Sequence, residues 1–360
     1  MRYDIVTIDG DGIGAEVCQS AVQVLREACG TDVLNIMPMA GGAGHYQRTG
    51  HVLPEATYQA CQGAHAILHG AAGLPGVTYA DGTEVGNDLH LQLRFRLDLF
   101  ANVRPIRLLQ GVKSPLVDFS AGQIDYVIVR ENTEGLYASR GAGVNLRDEL
   151  VTDTLVMTRV GVERVAKFAF DLSQRRQGSP RDGQRRVTVC DKANILKSYA
   201  FFRAICTEVA QAYSDVAIDY AYADAITVHM IKKPDFYDVI VAENMFGDII
   251  SDLGAATVGG LGVAPSAELG LNHGLFQGAH GSAPDIAGQD VASPIATILS
   301  GALMLRWLAD RHHDAALRQA ADRIDTAVQD VLAQGDAIPA DQGGNARCTE
   351  VTAAVCRRLR

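Results

Sequence analysis

Two aspartates, Asp248 and Asp252, lie four residues apart in the stretch ENMFGDIISD, Glu243 to Asp252. The run from Tyr237 to Ala242 before them is β-branched and apolar, the pattern of a buried strand. Ile249, Ile250, Leu253 and Ala256 then recur at helical spacing. The two carboxylates are therefore expected one turn apart, on the first turn of a helix leaving a strand end. Ligands of open α/β sheets collect at such crossings. Stacked carboxylates there form a hard-oxygen site for Mg²⁺ or Mn²⁺. The alternative is an N-cap at Asp248 and a dipole partner at Asp252.

Three arginines supply the opposite charge. Arg94 and Arg104 flank an apolar helix end in Leu93 to Pro105, and Arg130 closes the buried-strand run Ile124 to Val129. Guanidinium forks bind carboxylates through paired hydrogen bonds, so three that converge suit a di- or tricarboxylate. Arg96, at the alternate position, is expected to face solvent. Polar groups crowd the chain from Arg130 to Tyr137, beyond what packing explains. Tyr137 is a candidate proton donor, or else a packed tyrosine with a satisfied hydroxyl. Lys192 follows the strand Val187 to Cys190 and is either a base of lowered pKa or a helix-flanking charge. Asp224 precedes another apolar segment.

The elements that must position these groups alternate between strands and helices. Tyr3 to Ile8 reads as a strand, followed by a glycine-rich turn and a helix from about Ala15 to Ala28. Gly10, Gly12 and Gly14 do not have the spacing of the dinucleotide fingerprint, whose third glycine would stand at Ala15. Ala66 to His69 is a strand running into a loop, and Ile195 to Tyr213 is a helix. Leu253 to Leu271 is rich in small residues, uncharged between Asp252 and Glu268, and suggests close backbone packing at a domain or subunit junction. His280 to Asp285 is a tight polar loop able to hold a nucleotide. Ser293 to Ala309 is a core helix with Pro294 at its start.

With 360 residues the chain has length for about two domains. A formal net charge of -10 argues against a general binder of nucleic acid or of anionic membranes. The arginines between Arg175 and Arg186 sit in a Gly/Pro/Gln-rich stretch and read as a solvated connecting loop. Seven scattered cysteines without a CxxC pair, and no signal peptide before the first strand, fit a reduced cytoplasmic compartment. Absence of HExxH argues against a zinc site, and absence of GxSxG against a serine hydrolase.

As an ordered set, GDGIGAEV, RENTEGLY, DKANILK, ENMFGDIISDL, HGSAPDIAG and DQGGNA resemble the β-decarboxylating dehydrogenases over essentially the whole chain. That family includes isopropylmalate, isocitrate, homoisocitrate, tartrate and D-malate dehydrogenases. The resemblance implies a two-domain α/β isopropylmalate/isocitrate dehydrogenase-like fold, not a Rossmann fold, with the active site in the interdomain cleft. One domain, on the cofactor side, would be discontinuous, from residues 1–100 and 259–360. The other, 101–258, would carry the metal site and the dimer interface.

It further implies a homodimer, or a tetramer built from it, with shared active sites. Arg94, Arg104 and Arg130 would bind the substrate carboxylates, Asn194 would also contact substrate, and Asn87, His90 and Leu91 would meet the group on C3. Asp248, Asp252 and the partner's Asp224 would hold Mg²⁺ or Mn²⁺, with K⁺ as an optional further ion. Tyr137 and the partner's Lys192 would be the acid–base pair. NAD would be held by Ile13, Ala72, His280, Gly281, Ser282, Ala283, Pro284, Asp285 and Ser293. A carboxylate at Asp285 suits a ribose hydroxyl and repels a 2′-phosphate, which points to NAD⁺ over NADP⁺.

The implied chemistry joins metal polarisation of a C2 alcohol, hydride transfer to nicotinamide, and loss of a β-carboxylate as CO₂. Lys192 would relay the C2 hydroxyl proton and Tyr137 would protonate C3. Ala15 stands where the family has Pro, and Ser293 where it has Asn before a proline. Asp88 would repel a third carboxylate. The expected substrate is thus a 3-substituted (R)-malate of 3-isopropylmalate type, then D-malate or tartrate, with homoisocitrate and isocitrate behind. Two readings from other classes are a metal-free hydroxyacid dehydrogenase and a non-catalytic regulatory relative. The broken glycine spacing opposes the first; retention of every named functional side chain opposes the second.

Overall fold

The computed structural model describes residues 2–86, 88–147 and 149–360. Apolar runs alternate with amphipathic ones, and the chain follows that pattern. The first elements are β1 (Tyr3–Gly10), α1 (Gly14–Cys29), β2 (Leu34–Met39), α2 (Ala43–Thr49), α3 (Glu55–Gly63), β3 (Ala66–Ala71) and α4 (Asp88–Arg96). The middle of the chain holds β4 (Ala101–Arg107), β5 (Asp125–Glu131), β6 (Val144–Leu146), β7 (Leu150–Thr152), α5 (Arg159–Arg175), β8 (Arg186–Asp191) and α6 (Lys197–Ala210). It continues through β9 (Ala217–Tyr222), α7 (Ala223–Lys232), β10 (Val239–Ala242) and α8 (Asn244–Thr257). The last part is β11 (Pro265–Leu269), β12 (Gly274–Gly278), α9 (Ile295–His312), α10 (Ala315–Gln334) and α11 (Cys348–Leu359).

The chain divides into two compact units. The first comprises Met1–Leu99, Leu109–Lys113 and Gly259–Arg360; the second comprises Phe100–Leu108 and Ser114–Val258. The short piece Leu109–Lys113 thus belongs with the first unit, although its neighbours in sequence do not.

In the first unit the strands run in the order β2-β1-β3-β12-β11. All neighbours are parallel except β11 with β12. One face of this sheet is covered by α4, whose Leu89 and Leu93 pack with Val6, Ile8, Ile67 and Leu275. The other face meets α9, where Trp307 lies against Phe276. Burial on both faces explains why β3 reads as a continuous apolar run rather than an alternating one. Pro294 immediately precedes α9, whose residues are mostly buried.

In the second unit the order is β4-β5-β10-β8-β9, and only β4 runs antiparallel to its neighbour. Every residue of β10 is buried, as a central parallel strand requires. The β6 and β7 strands form a separate antiparallel arm whose residues are all exposed. Arg104 lies on β4, not at a helix end, because Ala101 to Arg107 pair along β5.

The arginines between Arg175 and Arg186 are not simply solvated. Arg176 bonds Asp125 and Asp238, Arg181 bonds Asp235, and Arg186 is buried against the Phe236 carbonyl. Their charges close the β8 entry on facing acidic residues. Among the described residues, no helix is long and apolar enough to cross a membrane.

Candidate active site

Helix α8 starts from a cap made by Glu243. Its carboxylate accepts from the Met245 and Phe246 amides and from the Tyr199 hydroxyl. That settles the first-turn donors, so Asp248 is not the N-cap; it lies on the second turn and Asp252 on the third. Gly247 allows α8 to lie close to β5, since a Cβ there would sit 2.7 Å from the Arg130 side chain.

Five of the residues singled out in the sequence meet here. Arg104 donates from Nη1 to Asp252 Oδ1 at 2.9 Å and from Nη2 to Asp248 Oδ1 at 3.1 Å. Arg130 Nη1 donates to the same Asp248 oxygen. Tyr137 Oη lies 3.5 Å from Asp248 Oδ2. Arg104 is fixed further by Asn102 and Ser251, and Arg130 by Asn244. Burial raises the Asp252 pKa, opposed by the Arg104 charge and helped by Asp248. Two carboxylates with hard oxygens, one helical turn apart and bridged by cations, are a donor set that fits Mg²⁺ or Mn²⁺.

Lys192 and Asp224 form a separate pair. Lys192 Nζ donates to Asp224 Oδ1 at 2.6 Å, and this bond lowers the Asp224 pKa first. The carboxylate is largely exposed on the first turn of α7. Asn194 is exposed in the turn after β8.

The remaining site residues belong to the first unit. Arg94 and His90 lie one turn apart on α4, with Leu91 buried beside them. Asn87 lies outside the described residues. Arg94 Nε and Nη2 donate to Glu268 at 3.1 and 2.7 Å, with side-chain exposures of 8% and 1%. His90 meets His69 edge-on, with centroids 4.5 Å apart. Asp88, expected to repel a third carboxylate, accepts from the Tyr79 hydroxyl and the Gln92 amide.

The nucleotide-type residues also converge. The Ile13 amide donates to the Ser282 carbonyl at 2.8 Å, and Ser282 Oγ donates to the Gly73 carbonyl, next to Ala72. A Cβ on Gly12, whose φ is 55°, would run into that same Ser282 carbonyl. Ile13 packs with Ala283 and Ala292. His280 donates from Nδ1 to the Gly281 carbonyl and accepts from Thr297 at Nε2, 3.3 Å away; burial lowers its pKa. Pro284 and Asp285 are exposed at the rim of the loop, and Ser293 Oγ bonds the Gly262 carbonyl. An apolar floor at Ile13 beneath a polar rim ending in Asp285 fits an adenosine.

Several partners were not singled out from the sequence. Asp11 accepts from the Ala43, Gly44 and Gly73 amides and ties the β1 turn to the start of α2 and to the loop after β3. Asn244 and Glu268 hold two of the arginines. Glu268 carried a signal, as a lone charge ending a long uncharged stretch.

A family model described as isocitrate/isopropylmalate dehydrogenase matches residues 4–355, and the chain belongs to that family of α/β oxidoreductases. A relative from Methanocaldococcus jannaschii, a 3-isopropylmalate/3-methylmalate dehydrogenase, is 43% identical over 359 residues, 99% of each chain. A 3-isopropylmalate dehydrogenase of Clavibacter sepedonicus is 42% identical over 93% of each. Among solved structures, isocitrate dehydrogenase from Methylococcus capsulatus superposes with a TM-score of 0.86 at 34% identity, covering 99% of both chains.

Proposed function

We propose that the protein carries out NAD⁺- and divalent-metal-dependent oxidative decarboxylation of a 3-substituted (R)-malate of 3-isopropylmalate type. The observation that carries this reading is the convergence of Arg104, Arg130 and Tyr137 on Asp248 and Asp252. The names of the relatives support the substrate class.

When bound, a divalent ion supplies Lewis-acid polarisation of the C2 oxygen and steadies the negative charge left by CO₂. NAD⁺ supplies the hydride acceptor. Everything else falls to the side chains. Asp248, Asp252 and the partner's Asp224 are the ion's ligands. With Asp248 and Asp252 engaged as ligands, the Arg104 and Arg130 forks would turn to the substrate carboxylates, where Arg94 would be a third contact. Asn194 is a further substrate contact, and His90 and Leu91 face the C3 group. The partner's Lys192 accepts the C2 hydroxyl proton, and Tyr137 delivers a proton to C3. The loop from His280 to Asp285, with Ile13, Ala72 and Ser293, holds the adenosine half of NAD⁺.

The assembly is a homodimer. Val144, Leu146, Leu150 and Val151 on the β6–β7 arm are each at least half exposed, as is Ile249 on α8, an apolar surface that a second copy would cover. Among the described residues, the Lys192 and Asp224 side chains pair with each other at the surface, as expected of groups that complete a neighbour's site.

A second reading, D-malate or tartrate, has one observation in its favour. Among the described residues, Nε2 of His69 and Nε2 of His90 are buried without a hydrogen-bond partner, so a hydroxyl-bearing substrate would suit that wall. NADH formation with Mn²⁺ across 3-isopropylmalate, D-malate, tartrates, homoisocitrate and isocitrate separates the readings. A tenfold preference for 3-isopropylmalate is expected; activity that survives EDTA would sink the metal-dependent reaction.

A further inference from the structure

Strands β8 and β9 lie side by side and end together, with Asp191 aligned to Tyr222 and Val189 to Tyr220. Aligned residues share a face, as do alternate residues along a strand, so Asp191, Tyr220 and Tyr222 stand on one face of the sheet. Each strand hands the chain to one member of the Lys192–Asp224 pair. Lys192 follows Asp191 directly, and Asp224 comes two residues after Tyr222.

Arg203, on the second turn of α6, reaches over both strand ends. Its Nε donates to Asp191 Oδ2 at 2.7 Å and its Nη2 to Asp191 Oδ1 at 2.8 Å. The guanidinium also lies on both rings, its centre 5.0 Å from the Tyr220 centroid and 5.1 Å from that of Tyr222. Thr207, one turn further along α6, donates to the Arg203 carbonyl, which leaves its oxygen to accept from the Tyr220 hydroxyl at 2.7 Å.

The two sides held by this clamp are both local. Asp191 is fully buried, and its Oδ1 also accepts from the Ala193 amide at 2.8 Å, while the Lys192 carbonyl accepts from the Ile195 and Leu196 amides. The turn that carries Lys192 is thus closed around a carboxylate whose charge Arg203 answers. Removing that cation would strand a buried charge next in sequence to the lysine. On the other side, α7 begins at Ala223 with no side-chain cap, and Asp224 lies in its first turn. The Tyr222 ring against Arg203 sets where that helix starts.

We infer that Arg203 is a positioning residue: it ties the end of β8 to the end of β9 and thereby sets the Lys192–Asp224 pair that each subunit lends to its partner's site. The inference rests on the reading of that pair as shared, given above.

The test uses Arg203→Lys, which keeps a cation beside Asp191 but has neither fork nor flat face, and Arg203→Met, which keeps only the stem. Displacing the pair by about 1 Å should lower kcat roughly a hundredfold in R203M and roughly tenfold in R203K, with the KM for 3-isopropylmalate within about twofold. Refolded with Tyr137→Phe, R203M should regain roughly a quarter of wild-type activity, because one site of each mixed dimer takes Tyr137 from the R203M chain and Lys192 from the other. Refolded with Lys192→Met it should regain none. A merely structural loss would not show this asymmetry. Recovery with Lys192→Met, or none with Tyr137→Phe while Lys192→Met and Tyr137→Phe complement each other, overturns the inference. If those two fail to complement, or the wild type turns over no malate, the proposed function is at fault and the crystal structure of R203K decides on Arg203 alone. The Lys192–Asp224 contact, 2.6 Å in the wild type, should open beyond about 3.5 Å, and an unmoved pair overturns the inference. The R203K structure decides equally if R203M does not fold.

Discussion

Asn244 grips Arg130 by two hydrogen bonds to one oxygen: its Oδ1 accepts from Nε at 3.0 Å and from Nη2 at 2.6 Å. Its amide nitrogen donates to the Glu134 carbonyl at 3.0 Å, so the fully buried side chain is engaged at both ends. The guanidinium is thereby aimed at Asp248.

Asn244→Ala should release that aim. The KM for the malate substrate is expected to rise about tenfold or more, and stability to fall by about 1–3 kcal/mol from the donors left unmet. Steady-state kinetics beside urea denaturation checks both. A loss of stability with KM unchanged would mean that Arg130 needs no such support.

His69 should make stability depend on pH. The unfolded chain takes up its proton near pH 6.5, the folded chain only near 3. Between those values the unfolded state binds more protons, so stability falls as pH drops through this window and is fully present above it. His69→Asn, which keeps a donor near the Ile8 carbonyl but does not titrate, should flatten this slope. The effect at pH 4.5 relative to pH 7 is roughly 2–3 kcal/mol, read from urea midpoints. His90 and His280, whose pKa values are also lowered by burial, leave a residual slope of the same sign.

Shared active sites predict complementation. Lys192→Met and Tyr137→Phe should each be nearly inactive alone as homodimers. Refolded together, half the dimers are mixed, and each mixed dimer holds one site with both groups intact. Roughly a quarter of wild-type activity should return. No recovery, with mixed dimers shown by native mass spectrometry, would place Lys192 and Tyr137 in the same chain's site.

Cofactor choice should follow Asp285, exposed at the rim of its loop. Wild type is expected to favour NAD⁺ over NADP⁺ by at least about tenfold in kcat/KM, and Asp285→Lys to shrink that ratio by a similar factor. The turnover number with NAD⁺ should change little. A wild-type preference for NADP⁺ would remove Asp285 as the discriminator.

What could be read from the chain has a physical pattern. Arg130, Tyr137, Asp248 and Asp252 stood out because short polar runs follow apolar strands, and a strand end is where such groups can share a site. The helix from Ile295 was equally plain from its apolar run and preceding proline. The cap was offered at Asp248 rather than Glu243 because a glutamate is an uncommon cap, and the Tyr199 hydroxyl and two amides reveal the role of Glu243. Arg104 was placed at a helix end because strand β4 gains its identity from pairing with β5. Glu268 and His69 were missed for a related reason. Their meaning depends on which strands become neighbours, and β3 and β12 are far apart in sequence.

That same pairing sets a timetable for synthesis. Strand β3 ends at Ala71, but β12, which covers its edge, runs from Gly274 to Gly278. Roughly 200 residues must leave the ribosome in between, on the order of ten to forty seconds at ordinary elongation rates. If β3 pairs with β1 during that interval, its other backbone edge stays open, a template for pairing with another chain. Shielding of that edge by a chaperone, or slow pairing of β3 with β1 until β12 arrives, is therefore a requirement on how this protein is made.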